Sequence, residues 1–131
     1  MRRISLALTL LASLALAGPA AADRRATKAE KAAIRPVALD ACGSPPGGCT
    51  FHGARISTAN ARFGWGNVTG EGFSGVLVKR PTRHSHRFRV IGTQGGGIGE
   101  CSYWRARAPR RVLRDLRISG LVKSGEVRNC G

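Results

Sequence analysis

Four cysteines, Cys42, Cys49, Cys101 and Cys130, constrain this chain more than any other feature. They follow an N-terminal segment laid out like a secretory signal. Met1-Arg2-Arg3 is a short basic region, Ile4 to Ala17 is an apolar run, and Ala20-Ala21-Ala22 supplies the small residues read before a cleavage. The run is shorter than the ~20 residues a membrane-spanning helix needs. Residues 1–22 are therefore expected to be a signal peptide and residues 23–131 a single disulfide-stapled domain. Removing 22 residues from 131 leaves 109, enough for one core and too few for two. An even cysteine count in a small exported chain points to disulfides, because the exterior is oxidising and a core this size gains from staples. Cys42 and Cys49 bracket Gly43-Ser44-Pro45-Pro46-Gly47-Gly48, whose turn residues fold back readily. The lowest closure cost thus pairs Cys42 with Cys49 and leaves Cys101 with Cys130. No CxxC pair is present, and neither a metal nor a cofactor is expected.

Periodicity then orders the elements. Thr27-Lys28-Ala29-Glu30 has the form of a capping box, and Ala33, Ile34, Val37 and Ala38 recur at helical steps, with Pro36 expected to kink or end the helix. After Cys49 the period becomes two. Ala54 and Ile56 alternate with Arg55 and Ser57, and Phe63 and Trp65 with Gly64 and Gly66, which predicts two strands. Gly70-Glu71-Gly72 predicts a hairpin into residues 73–80, a central strand with Val76 and Val78 on one face and Phe73 and Leu77 on the other. In the next strand, residues 86–93, Phe88 and Val90 oppose Arg87 and Arg89, and the glycine-rich stretch 92–99 reads as a flexible loop. From Pro109 the chain returns to helix, with Val112, Leu113 and Leu116 inward, arginines outward and Gly120 as the stop. The fold class is α+β: an antiparallel meander of three to four strands flanked by an N-terminal and a C-terminal helix, closed by a disulfide-tied tail.

The succession Ala54-Arg55-Ile56-Ser57-Thr58, the strand Arg87-Phe88-Arg89-Val90-Ile91-Gly92, Cys101, and Pro109-x-x-Val112-Leu113-x-Asp115-Leu116 resembles the small secreted proteins, mostly uncharacterised, of high-GC Gram-positive bacteria. That resemblance implies export and an α+β fold without implying a reaction.

Chemistry-bearing residues are present in type rather than in arrangement. A small secreted hydrolase of nuclease character would need one of His52, His84 or His86 beside Glu71, Glu100 or Asp115. The run Gly95-Gly96-Gly97-Ile98-Gly99 lacks the helix start and the Gly-Lys-Ser/Thr ending of a phosphate loop. Cys101 as a nucleophile would have to stay unpaired outside the cell, and the disulfide is the stronger reading. An inhibitor or protein-interaction module would be marked by an exposed apolar patch around Trp104.

Charge is the feature with magnitude behind it. Lys and Arg number 22 against 7 Asp and Glu, for a formal net charge of +15. Between Lys79 and Arg117, 11 basic residues meet only Glu100 and Asp115. With Tyr103-Trp104 beside them, Arg87, Arg89, Arg105, Arg107, Arg110, Arg111 and Arg114 form the expected polyanion-binding set. The expectation is a secreted, non-enzymatic basic protein whose partner is an anionic polymer, such as a wall polymer or nucleic acid, or another secreted protein.

Overall fold

Helix α1 (Lys28–Cys42) starts where the sequence signals it. The Thr27 hydroxyl accepts from the Glu30 backbone N–H at 3.2 Å, and the Glu30 carboxylate accepts from the Thr27 N–H at 3.2 Å. This geometry is that of a computed structural model, which describes residues 23–43 and 47–131. The expected signal peptide, residues 1–22, lies outside the described residues, as do residues 44–46 of the first disulfide loop. Pro36 does not end α1. Both Pro36 and Ala32, whose carbonyl loses its partner, are exposed, so water can take up that carbonyl and the helix continues to Cys42. Gly43 then closes it in the left-handed region, φ 63°, with its N–H on Asp40 O at 3.1 Å.

The strands β1 (Asp23–Arg25), β2 (Thr50–Ser57), β3 (Phe63–Thr69), β4 (Phe73–Lys79) and β5 (Arg89–Gly95) form one antiparallel sheet in chain order. The expected four-strand meander is β2 to β5, and β1 adds an edge by pairing Asp23 to Arg25 with Ser57 to Arg55. Helix α1 covers one face, where Ile34, Ala38, Ile56, Val68, Val76, Val78 and Phe88 are buried. Helices α2 (Cys101–Arg105) and α3 (Arg110–Asp115) cover the other, over Phe63, Trp65 and Leu77. Val76 and Val78 thus face one core and Leu77 the other, as a central strand requires.

Bulges break simple alternation at two points of the β4–β5 pair. Ser74 is the extra residue where Phe73 pairs with Gly95 and Gly75 with Gln94, so Phe73 packs on the α1 side instead of opposite Val76 and Val78. Ile91 is the extra residue between the pairs Leu77–Gly92 and Val78–Val90 and packs on the α2–α3 side, while Val90 stays half-buried on the α1 side. Two glycines give room to the indoles: a Cβ at Gly75 would collide with the Trp65 ring, and one at Gly92 would come 2.8 Å from Trp104 Cζ3. The two indoles meet edge to face at 5.6 Å.

Two further expectations are corrected. The strand expected at residues 86–93 begins at Arg89 and runs on to Gly95, taking residues from the glycine-rich loop. Helix α3 ends at Asp115 and not at Gly120. Arg117 turns the chain with φ 56°, and Gly120 sits in strand β6 (Ser119–Leu121). The tail from Ser119 is a hairpin, β6 paired with β7 (Val127–Asn129), fastened by Cys101–Cys130; Cys42–Cys49 is the other disulfide. Among the described residues no helix is long and apolar enough to cross a membrane.

Candidate functional site

The hydrolase constellation is not assembled among the described residues. His52 Nε2 lies 2.7 Å from Thr69 Oγ1, Glu100 Oε2 accepts from Ser102 Oγ at 3.2 Å, and Asp115 is held by Ser57, Thr58 and Ala59. Glu71 is exposed in the β3–β4 hairpin, and His84 and His86 are exposed in the connection between β4 and β5. Among the described residues no histidine bonds a carboxylate, and no group of three or more His, Cys, Asp or Glu is placed to hold a metal ion. Trp104 is only 1% exposed and belongs to the core, so it offers neither an apolar docking patch nor a stacking platform.

The sheet register brings cations together instead. Phe63 pairs with Lys79 and Lys79 with Arg89, so the three side chains stand in one cross-strand row on the α2–α3 side. Lys79 Nζ sits 5.2 Å from the Phe63 ring centroid. Arg87 follows the same alternation as Arg89, turned away from buried Phe88. Arg62, Lys79, Arg87 and Arg89 line a groove of about 330 Å³ with Pro81 and Arg80. Arg62 is tied there twice, its carbonyl accepting from Arg80 N at 2.8 Å and its Nε donating to Arg80 O at 3.2 Å.

Arg80 is the fixed wall. It is 2% exposed, donates through Nε to Ala61 O at 2.9 Å and through Nη1 to Ser85 O at 3.2 Å, and lies 4.9 Å from the Phe88 centroid. Its Nη2 ion-pairs with Glu30 Oε2 at 3.0 Å, and Glu30 also takes both terminal nitrogens of Arg24, at 2.8 and 3.1 Å. Burial alone would raise the Glu30 pKa, but the bonds from Arg24 and Thr27 prevail and hold it at about 2. For Arg80, burial prevails over the Glu30 attraction and pushes the pKa down from the ordinary arginine value.

Glu30 is therefore shared by two inner cations, Arg24 and Arg80, and leaves the groove alone. Among the described residues, Arg62, Lys79, Arg87 and Arg89 have no carboxylate within ion-pairing distance; the ion pairs there involve Arg24, Arg55, Arg80 and Arg128.

Of the seven arginines expected to bind a polyanion, Arg87 and Arg89 line this groove and the other five do not. Arg105 donates to Cys130 O at 2.9 Å, which ties α2 to the tail. Arg107 stacks on Tyr103 at 3.5 Å and donates to its carbonyl at 2.8 Å. Arg110, Arg111 and Arg114 are exposed on α3. Sequence reasoning missed Arg62, which lies before Phe63 and joins the groove only through the β3–β4–β5 register. No family model, curated protein or solved structure matches this chain.

Proposed function

We propose that this is a secreted, non-enzymatic basic protein that binds an anionic polymer of the cell envelope or its surroundings. The observation that carries the reading is the groove of Arg62, Lys79, Arg87 and Arg89, four cations with no carboxylate partner among the described residues. Uncompensated cations in a concave surface concentrate field and attract anions. The arginines of α3 extend the positive charge, and the two disulfides fit an extracellular setting. That setting also agrees with the export implied by the signal-like N-terminus.

Retention on immobilised heparin and on duplex DNA, measured against salt concentration, tests the proposal. Each phosphate neutralised on duplex DNA adds about −0.9 to the logarithmic salt slope, so a bound face of several cations gives a steep line. Elution of the wild-type protein at low salt from both matrices, with a slope near zero, would sink the reading.

A further inference from the structure

The groove is more selective than a merely cationic surface. Its lining of Arg62, Lys79, Arg80, Pro81, Arg87 and Arg89 contains no aromatic ring to form a stacking platform, and it contains no carboxylate to accept from hydroxyls or amines. What it offers is donors. Guanidinium forks bind oxyanions in a bidentate way, and Lys79 adds a point charge. Cross-strand pairing sets Lys79 and Arg89 about 5 Å apart at Cβ, and Arg87 is two residues further on, about 7 Å along the chain. Three flexible cations at that spacing can close on one small anion.

Charge density decides which anion satisfies them. A carboxylate or an internal phosphodiester brings one negative charge per group, so several spaced groups would have to crowd into about 330 Å³ to balance four cations. A terminal phosphate brings about −1.5 to −2 on three acceptor oxygens in a single tetrahedron, and two condensed phosphates bring more. Arg80 holds the wall rigid, and the Glu30 carboxylate 3.0 Å from it is shared with Arg24, so the outer four remain unbalanced.

We infer that the groove receives a terminal or condensed phosphate group, free or at the end of a chain. This rests on the anionic-polymer reading above and narrows it to one chemical group at one place.

Calorimetric titration of the purified protein at fixed ionic strength, with inorganic pyrophosphate against sulfate and citrate, tests the inference. Pyrophosphate is expected to bind at least about tenfold more tightly than citrate. The double variant R87Q/R89Q should weaken pyrophosphate at least about tenfold with an unchanged melting temperature, while R110Q/R111Q changes it by less than about twofold. If R87Q/R89Q fails to fold, Lys79→Gln alone should weaken pyrophosphate in the same direction. A 5′-phosphorylated oligonucleotide that competes better than its hydroxyl-ended twin would assign the group to a polymer end, failure of both to compete would assign it to free condensed phosphate, and equal displacement by both would mean that internal phosphodiesters fill the groove and would overturn the inference. Pyrophosphate binding no tighter than citrate, or weakened equally by both double variants, would overturn this inference while steep heparin retention kept the broader reading alive.

Discussion

Ser57 Oγ donates a 2.6 Å hydrogen bond to Asp115 Oδ2, joining the end of β2 to the last residue of α3 across 58 positions of chain. The same oxygen accepts from the backbone N–H of Thr58 at 2.6 Å and of Ala59 at 3.0 Å. One carboxylate thus fixes the β2–β3 turn against the helix. Burial alone would raise its pKa, but the donors of Ser57, Ala59 and Thr58 outweigh that and lower it. Asp115→Ala leaves the fully buried Ser57 hydroxyl and two N–H groups without their acceptor, so a loss of about 2–4 kcal/mol is expected. Ser57→Ala removes one donor to Asp115 and the acceptor of the Asn60 N–H at 3.2 Å but leaves the Thr58 and Ala59 donors bonded, so about 1–2 kcal/mol is expected. Calorimetric melting compares them, and equal losses would show that the backbone donors contribute nothing.

Glu30 gives the stability a pH dependence. Its folded-state pKa of about 2 is depressed below the ordinary glutamate value, so its contribution is fully present above about pH 4.5 and is lost as pH falls toward 2. The shift corresponds to roughly 3 kcal/mol. Urea unfolding of the wild-type protein between pH 5 and pH 2 should show that decline. Glu30→Gln should be less stable at pH 6 and flatter below pH 4.5. A variant that falls as steeply as wild type would place the acid sensitivity elsewhere, with Asp115 the next group to test.

The two disulfides should differ in worth. Chain-entropy reasoning gives about 2.5 kcal/mol for the seven-residue separation of Cys42 and Cys49 and about 3.6 kcal/mol for the 29-residue separation of Cys101 and Cys130. Packing widens the gap, since Cys101 and Cys130 are 1% and 0% exposed inside the α2–α3 core, while Cys42 and Cys49 are half-buried. Paired Cys→Ser variants, compared by denaturant midpoint, are expected to lose more at Cys101–Cys130. The opposite order would mean that the β6–β7 tail is held without its bridge.

What was legible in the sequence follows from range. The Thr27–Glu30 capping box and the Cys42–Cys49 pairing involve residues three and seven apart, and alternation marked β2 and β5, where Ile56 and Val90 are less exposed than the arginines before them, and β3, where rings alternate with glycines. Strand β1 was not legible. Asp23-Arg24-Arg25 has no apolar alternation and is held by its ladder to β2 and by the 2.7 Å ion pair of Asp23 with Arg55. The bulge at Ser74 inserts one residue and reverses the facing that strict alternation implies for Phe73, and the bulge at Ile91 does the same for Gly92. At the site, Arg87 and Arg89 were readable as an outward pair. Their meeting with Arg62 depends on the β3–β4 and β4–β5 registers, and the ion pair of Arg80 with a glutamate 50 positions earlier depends on how α1 sits on the sheet, neither of which a local pattern encodes.

Two basic surfaces are placed to share one polymer. Arg89 stands in the same cross-strand row as Phe63, and Phe63 is buried beneath the helices in the cluster that contains Val112, Leu113 and Leu116 of α3. The groove and the exposed arginines of α3 therefore lie on the same side of the sheet, where one extended polyanion can reach both. On duplex DNA, R87Q/R89Q and R110Q/R111Q should each reduce the magnitude of the salt slope by about 1.8, and the quadruple variant by about 3.6, if every arginine neutralises one phosphate. Melting temperatures should hold, because all four side chains are exposed. A quadruple variant with a wild-type slope would show that the polymer is held by charge spread over the whole surface. A response confined to R87Q/R89Q would restrict the contact to the groove and leave the α3 arginines facing solvent.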